Sequence, residues 1–314
     1  MKTDLSTSIC KVKLKNPTIL ASGILGVSGA SLVNAAKNGA GAVISKSANL
    51  AGRKGHPSPV IIANDTFVMN AVGLSNPGVD DVIDELKYAI KNSPSPVIAS
   101  FFGNTKEDFG IVAERISEAR PALLEVNISC PNTDDDLGRP FSLLPETAAE
   151  VTRIVKNRTK IPIAVKLSPN VYDIREIAKA VEDAGADMIT AINTAGPGMV
   201  IDIKTGRPVL SNKTGGVSGP AIKPIAVRCV YDIYKTVKIP IIGVGGVTHG
   251  KDAVEMMMAG ASAVEIGSAV YYRGIDVFSK VTKEIKEFMK EEGYANLKQI
   301  IGKAHGNPNN PSDK

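Results

Sequence analysis

The segment PIAVKLSPNVYDIREIAKAVEDAGADMITAINT, residues 162–194, contains the pattern that decides the fold. Its two ends, 162–169 and 187–194, are short and almost continuously apolar, as strands buried on both faces of a parallel sheet are. Between them, apolar residues recur at helical spacing, and Gly185 marks the C-terminal end of the predicted helix. These helix residues are Ile174, Ile177, Ala178 and Val181. Residues 162–194 therefore predict a strand, helix and strand unit.

The apolar strand pattern occurs eight times along the chain, and a helix-like stretch follows each copy. The eight segments are PTILASG (17–23), GAVISKS (41–47), PVIASFFG (96–103), LLEVNISCPN (123–132), PIAVKLSP (162–169), DMITAINT (187–194), PIIGVGGV (240–247) and AVEIGSA (263–269). Eight such units predict an α/β protein with a (β/α)8 TIM barrel, formed by residues 1–314 as a single domain. A doubly wound open sheet is the structural alternative.

Composition excludes several classes of protein. The chain has 314 residues, 43% of them hydrophobic, which is too many for intrinsic disorder. Its apolar runs are shorter than the ~18–20 residues of a membrane span, and its N-terminus lacks the apolar stretch of a signal peptide, so we expect a cytoplasmic protein. The net charge is +5 with dispersed basic residues, which does not indicate nucleic-acid binding. Three widely spaced cysteines fit a reducing compartment and exclude a Cys-rich metal or cluster site.

Three connections after predicted strands are too long for simple turns, and all three leave the C-terminal ends of strands, where barrel enzymes have their active sites. Residues 48–78 and 197–218 alternate around Gly and Pro breaks, which predicts hairpin-like insertions. Within the connection 131–145, the polar segment 133–145 is a candidate lid loop. We expect residues 302–314, rich in Pro and Asn, to form a disordered tail.

Polar residues or glycines occur near the C-terminal end of almost every predicted strand, and a barrel brings these positions to one mouth. They are Ser22, Lys46, Ser47, Ser100, Asn127, Cys130, Lys166, Asn193, Thr194, Gly245, Gly246, Gly267 and Ser268. A lysine buried in an apolar strand requires an anionic partner, which a ligand can supply. Glycines after strands seven and eight are typical of phosphate sites. The pattern therefore indicates either a flavin mononucleotide (FMN) or a sugar phosphate.

Cys130 is the candidate catalytic cysteine. It follows Asn127 at the end of the fourth predicted strand and begins the candidate lid, and nearby lysines favour its thiolate. Cys10 and Cys229 are interpreted instead as small buried apolar residues.

Several motifs together resemble class 1 dihydroorotate dehydrogenase from about Leu20 to Gly274. They are NISCPN (127–132), NAVGLSNPG (70–78), AVKLSPN (164–170), INTAGPGMVIDIKTGRPVLSNKTGGVSGPAIKPIA (192–226) and GVGGV (243–247). The cysteine of NISCPN is similar to class 1, because class 2 enzymes use serine there. The second and fourth of these motifs are most like class 1B.

The resemblance implies an enzyme that oxidises (S)-dihydroorotate to orotate in pyrimidine synthesis, with FMN as hydride acceptor. It implies that electrons pass to NAD+ through a partner subunit that carries FAD and a [2Fe-2S] cluster. It also implies a homodimer that joins this iron-sulfur flavoprotein in a heterotetramer. A class 1A-like enzyme that uses fumarate or another acceptor is the alternative within the family.

The resemblance also implies roles for individual residues. Cys130 would be the base that removes the C5 proton, Lys166 would lie against the flavin, and Lys46 would contact both flavin and orotate. Substrate contacts would come from Asn70, Ala71, Val72, Gly73, Leu74, Asn127, Asn193 and Thr194. Further FMN contacts would come from Ala21, Ser22, Ser47, Ser100, Asn127, Ile192 and Gly219, with Gly245, Gly246, Gly267 and Ser268 at the phosphate. Ser100 stands where the family usually has asparagine.

Two other functions remain open on the residues alone. A phosphosugar isomerase or aldolase on the same barrel would use Lys166 or Lys46 as an acid, base or Schiff-base lysine. A barrel without catalytic activity would serve only as a binding or scaffold subunit.

Overall fold

A computed structural model of the protein describes residues 3–128 and 141–306. The strands are β1 (Thr7–Ile9), β2 (Val12–Leu14), β3 (Thr18–Leu20), β4 (Ala42–Ile44), β5 (Ile61–Ala63), β6 (Val68–Asn70), β7 (Val97–Phe101), β8 (Leu123–Asn127), β9 (Ile163–Leu167), β10 (Met188–Ala191), β11 (Ala195–Gly198), β12 (Ile201–Asp202), β13 (Arg207–Pro208), β14 (Gly215–Ser218), β15 (Ile241–Val244) and β16 (Ala263–Ile266). The helices are α1 (Gly29–Lys37), α2 (Val79–Asn92), α3 (Lys106–Ile116), α4 (Pro145–Arg158), α5 (Ile174–Asp183), α6 (Lys223–Tyr234), α7 (Gly250–Met258), α8 (Ala269–Arg273) and α9 (Val277–Glu291).

Eight parallel strands form a closed barrel in the order β3, β4, β7, β8, β9, β10, β15 and β16. The last strand pairs with the first, with Ile266 opposite Leu20. Each barrel strand lies inside one of the eight predicted segments, which confirms the TIM barrel. The open-sheet alternative is wrong, because pairing of β16 with β3 leaves no free edge in the barrel.

The helices cover the outside of the barrel with their apolar faces. In α5, the four residues predicted to form an apolar stripe are all buried. The side chain of Asp173 caps the first turn by accepting a hydrogen bond from the backbone N–H of Arg175, and Gly185 beyond the helix adopts a φ of +98°. Side-chain spacing therefore fixes which face of the helix packs against the strands.

Inside the barrel, the lowest layer is apolar. It contains at least one residue from each barrel strand, and the N-terminal hairpin of β1 and β2 packs Ile9 and Leu14 against it. The layer consists of Ile19, Ala42, Ile44, Ile98, Leu123, Ala164, Met188, Ile242 and Ala263. Because side chains alternate along a strand, the residues two positions later on the same strands face inward at a higher level, nearer the C-terminal mouth.

The two insertions at 48–78 and 197–218 contain antiparallel strands, as predicted. They also combine: β6 pairs with β14, which gives one four-stranded sheet in the order β11, β14, β6 and β5. A smaller hairpin, β12 with β13, extends from the second insertion. These insertions follow barrel strands at their C-terminal ends, so they build the walls of the mouth.

Two predicted segments fall wholly or partly outside the described residues. The described part of the candidate lid begins at Phe141, which is buried against Phe109. We expected a disordered tail from Gly302, but residues 302–306 pack onto the barrel, where the His305 ring stacks on Tyr231 with centroids 4.0 Å apart. Within residues 3–128 and 141–306, no helix is both long and apolar enough to cross a lipid bilayer.

Candidate active site

A cavity of about 540 Å³ opens at the C-terminal ends of the barrel strands. This volume is within the range of small-molecule and cofactor sites. Most of the predicted site residues line it, namely Ala21, Ser22, Lys46, Ser47, Asn70, Ala71, Val72, Gly73, Leu74, Asn127, Lys166, Ile192, Asn193, Thr194, Gly219, Gly245, Gly246, Gly267 and Ser268. The fold therefore brings together residues that are up to 247 positions apart in sequence, the separation of Ala21 and Ser268.

Two predicted site residues are not among the lining residues. Cys130, the candidate base, lies outside the described residues. Ser100 lies behind Ser47: its hydroxyl is 2.8 Å from the Ser47 hydroxyl and is fully buried. The short serine side chain does not reach the cavity, so the structure places Ser100 in support of the wall rather than against the ligand.

Lys166 lies on the floor of the cavity in a cluster with two glutamates. Its Nζ is 2.8 Å from Glu265 Oε2, 3.4 Å from Glu125 Oε2 and 3.5 Å from Ser22 Oγ. The side chains of Glu125 and Glu265 are at most 1% exposed, and that of Lys166 is 7% exposed. Burial opposes charging of the lysine, but the two glutamates overcome this and raise the pKa of Lys166 above its usual value.

Burial and the neighbouring Glu125 carboxylate raise the pKa of Glu265 to about 8, although Lys166 opposes this shift. Glu265 also lines the cavity. Its Oε1 is buried and has no hydrogen-bond partner within the described residues. A buried polar atom of this kind costs free energy unless a ligand or a proton satisfies it.

Glu125 and Glu265 were not predicted as site residues, although the sequence contains a signal for both. Glu125 precedes Asn127 by two positions on one strand, and Glu265 precedes Gly267 by two on another. Because side chains alternate along strands, each glutamate must face the barrel interior as its neighbour does. Asn170 was missed as well; it lines the cavity and accepts a hydrogen bond from the backbone N–H of Gly196.

A row of hydrogen bonds runs from the wall of the cavity to this cluster. The Asn193 side-chain amide donates to Asn127 Oδ1 over 3.4 Å, and the Asn127 amide donates to Ser47 Oγ over 3.4 Å. Ser100 then links Ser47 to Glu125, donating to Glu125 Oε1 over 3.0 Å. This row connects Asn127 and Asn193 on the cavity wall to the carboxylate that contacts Lys166.

The loop that follows β6 is fixed by one buried asparagine. Asn76 donates from its side chain to the carbonyl of Leu74 over 2.9 Å. Its Oδ1 accepts from the backbone N–H of Asn49 over 3.2 Å and from that of Gly78 over 3.0 Å. Asn76 therefore ties Leu74, at the end of the wall segment 70–74, to the backbone of Asn49 and Gly78.

The opposite end of the cavity is formed by backbone after β15 and β16. Gly246 has a φ of +74°, and a Cβ there would lie 2.6 Å from Lys223 Cβ and 2.9 Å from Lys223 N. Only glycine fits this position, and it leaves peptide groups accessible from the cavity. Gly267 differs: a Cβ there would meet only Ala21 and Ile24, at 3.5 and 3.9 Å.

These residues fit a phosphorylated aromatic cofactor such as FMN. The glycine-rich backbone offers N–H groups to a phosphate, and Lys166 offers a cation to an electron-rich ring edge. The unpartnered Oε1 of Glu265 leaves a polar atom on the floor that either a ligand group or a proton can satisfy. The cavity therefore offers donors for the phosphate at one end of such a molecule and a cation for the ring at the other.

The two described cysteines lie away from the cavity. Cys10 lies in the N-terminal hairpin, and its Sγ donates to the carbonyl of Asp187 over 3.1 Å. Cys229 is buried in α6. Burial raises the pKa of each thiol to about 11, which leaves both as unreactive thiols at neutral pH.

Comparison with known proteins identifies relatives over nearly the whole chain. The sequence profile described as dihydroorotate dehydrogenase matches residues 4–289. A Methanosarcina mazei protein named dihydroorotate dehydrogenase B (NAD(+)), catalytic subunit, is 49% identical over 302 residues, which cover 96% of this chain and 95% of that protein. Proteins of the same name from Methanothermobacter thermautotrophicus and Methanocaldococcus jannaschii are each 47% identical, covering 96% of this chain and 98% of their own length.

Proposed function

Because the chain belongs to the dihydroorotate dehydrogenase family, we propose that it oxidises (S)-dihydroorotate to orotate in de novo pyrimidine biosynthesis, as a catalytic subunit linked to NAD+. The observation that carries the proposal is the convergence of Lys166, Asn127 and Asn193 on one cavity. A buried cation and two carboxamides are what a redox cofactor and a pyrimidine carboxylate need.

FMN, when bound, supplies the acceptor for the hydride that leaves C6 of dihydroorotate. Lys166 holds a positive charge at the floor of the site, where negative charge accumulates during the transfer. The peptide groups at Gly245, Gly246, Gly267 and Ser268 bind the phosphate. Ala21, Ser22, Ser47, Ile192 and Gly219 line the remaining contact surface.

The chain's amides orient the substrate. Asn127 and Asn193 hydrogen-bond each other, which fixes the orientation of both amides beside the pyrimidine ring. Asn70, Thr194 and the backbone from Ala71 to Leu74 close the other side, and Lys46 pairs with the orotate carboxylate. Cys130 removes the proton from C5 as a thiolate base, so that loss of a hydride and a proton yields orotate.

We further propose that residues 1–314 form one FMN-binding domain that works in the cytoplasm as a homodimer. An iron-sulfur flavoprotein subunit that carries FAD and a [2Fe-2S] cluster completes a heterotetramer and passes electrons to NAD+. The words "catalytic subunit" in the names of the relatives support a partner of this kind. The chain has 3 cysteines, whereas a typical [2Fe-2S] cluster uses four.

The lysine chemistry of a phosphosugar aldolase is disfavoured by the contacts of Lys166. A Schiff base requires a neutral amine, but two carboxyl groups contact this ammonium and raise its pKa. Lys166 is therefore suited to act as a permanent cation.

Anaerobic spectroscopy tests the proposed reaction. We expect the purified protein to be yellow and to bleach when dihydroorotate is added. Cys130→Ser should retain FMN but bleach at least about 100-fold more slowly near neutral pH, because serine is a far weaker base than the thiolate. A sample loaded with flavin that dihydroorotate does not bleach would reject the proposal.

A further inference from the structure

The cluster of Lys166, Glu125 and Glu265 carries an excess of acidic groups on the floor of the cavity, where little of each side chain is exposed. Two ionised carboxylates and one ammonium would leave a net charge of −1 on side chains that are nearly or fully buried. The other five barrel strands contain only apolar, glycine, serine and threonine residues. Lys46, which follows β4, is a further charged residue of the cavity lining and is not counted in this net charge. An uncompensated charge inside a protein is costly, so the cluster favours retention of one proton.

The hydrogen bonds distinguish the two carboxyl groups. Both oxygens of Glu125 accept: Oε1 from Ser100 over 3.0 Å and Oε2 from Lys166 over 3.4 Å. For Glu265, Oε2 accepts from Lys166 over 2.8 Å, whereas Oε1 has no partner in the described part of the chain. Hydrogen bonds from donors stabilise an ionised carboxylate, and Glu265 Oε1, which receives none within the described residues, is therefore the place for a proton.

We propose that Glu125 and Glu265 hold a single proton between them, resident on Glu265, and that together with Lys166 they form a neutral cluster that controls reduction of the bound cofactor. The proposal rests on the proposed function for its cofactor, but the proton itself belongs to this chain's own residues. Both glutamates act as positioning residues, because they set the charge and location of Lys166.

The cluster then links cofactor reduction to pH. Reduction of the bound cofactor would consume two electrons and one proton, which dihydroorotate supplies together as a hydride and which a chemical reductant and solvent supply separately. Above the pH at which Glu265 ionises, the added negative charge on the cofactor draws one further proton from solvent onto the carboxyl pair. Reduction therefore takes up one more proton above about pH 8 than below it.

Redox titration of three variants tests this coupling. In the wild-type protein, the reduction potential of bound FMN should fall more steeply with pH above about pH 8 than below it. The additional fall is about 29.6 mV per pH unit, which corresponds to a further tenfold decrease in the reduction equilibrium constant. The reduction equilibrium constants of bound FMN in Glu265→Gln and in Glu125→Gln should each stay within about threefold of the wild-type value at pH 7. Either variant leaves one carboxylate beside Lys166. In neither variant should the plot of reduction potential against pH become steeper above about pH 8.

The double variant with both glutamines is the matched control. It leaves Lys166 with no carboxylate, so reduction should become at least about tenfold more favourable at pH 7. If Glu265→Gln alone produces this change at pH 7, both carboxylates are ionised in the wild type and the proposal is wrong. The proposal also fails if the slope of the wild-type reduction potential against pH does not increase above about pH 8.

The protein without FMN separates this proposal from the proposed function. Selective ¹³C labelling of glutamate carboxyl groups, followed by NMR titration, should show one carboxyl group that titrates near pH 8. That signal should be absent from Glu265→Gln. If it is present while dihydroorotate fails to bleach the flavin, only the proposed function fails; if every glutamate titrates in the ordinary acidic range, the shared proton is disproved. Circular dichroism confirms that each variant is folded.

Discussion

At the scale of single residues, the barrel buries two glutamates and a lysine in an interior that TIM barrels usually fill with bulky apolar side chains. Burying a charge pair gains little stability by itself, because desolvation offsets the attraction. Glu125 and Glu265 therefore have no strong structural reason to face Lys166. Their position directly beneath the cavity indicates that they serve the chemistry there.

The shared proton predicts a pH dependence of stability for the protein without FMN. The pKa of Glu265 is about 8 in the fold, against an ordinary value of 4.5 when unfolded. Between these values, the folded protein holds a proton that unfolding releases. The free energy of unfolding should therefore fall as pH rises, by up to about 1.4 kcal/mol per pH unit. Above about pH 8 the folded protein no longer holds this proton, so the stabilisation that it supplies is lost and the fall ends.

Urea denaturation of the wild type and Glu265→Gln between pH 5 and 9 measures this effect. The substituted glutamine side chain cannot release a proton, so the variant should gain stability relative to the wild type up to about pH 8 and keep a constant difference beyond it. Two stability curves that run parallel over the whole range would contradict the prediction. Comparing the two proteins cancels the contributions of other titrating groups.

At the scale of elements, the loop after β6 is held at Leu74 by Asn76, which does not itself line the cavity. Asn76→Ala leaves the N–H groups of Asn49 and Gly78 without their acceptor, at a cost of roughly 1–3 kcal/mol. The Leu74 end of segment 70–74 should become more mobile, because its carbonyl loses the Asn76 donor. We expect the KM for dihydroorotate to rise roughly tenfold with a smaller change in kcat, and the amides of this loop to exchange hydrogen faster.

Asn64→Ala is the matched control in the same insertion. Asn64 also organises a turn, accepting from the backbone N–H groups of Thr66 and Phe67 at 2.9 Å each. It is exposed and does not line the cavity, so its loss should leave the KM within about twofold of wild type. Equal effects of the two substitutions would show that Asn76 has no specific part in holding the loop.

Local patterns were sufficient to predict the elements but not all of their partners. The eight strands were predictable because buried parallel strands are apolar throughout. The pairing of β6 with β14 was not, because it joins two insertions that are far apart in sequence. Glu125 and Glu265 were missed because each is a single charge within an apolar run. Only the alternation of side chains along the strand shows that each points into the barrel. The resemblance implies an FMN contact for Ser100, but serine is shorter than the asparagine usual in the family, and its hydroxyl contacts Ser47 and Glu125 instead.

At the scale of the whole molecule, the barrel separates stability from chemistry along its axis. The lowest interior layer is apolar and closed by Ile9 and Leu14 of the N-terminal hairpin, whereas the next layer contains Lys166 and its glutamates. The insertions then raise walls around the mouth. We expect electrons delivered to a cofactor in this cavity to leave on the same side, where residues outside this chain can approach.

Electron transfer to NAD+ provides the test at this scale. With 3 cysteines, the chain cannot supply the four thiolates of a typical [2Fe-2S] cluster. We expect the isolated chain to be reduced by dihydroorotate and reoxidised by an artificial dye, but to form no NADH. Adding the iron-sulfur flavoprotein should start NADH formation, and gel filtration should show both chains in one complex. Fumarate and quinone assays serve as controls for other acceptors. NADH produced by the isolated chain would show that electrons reach NAD+ without a partner.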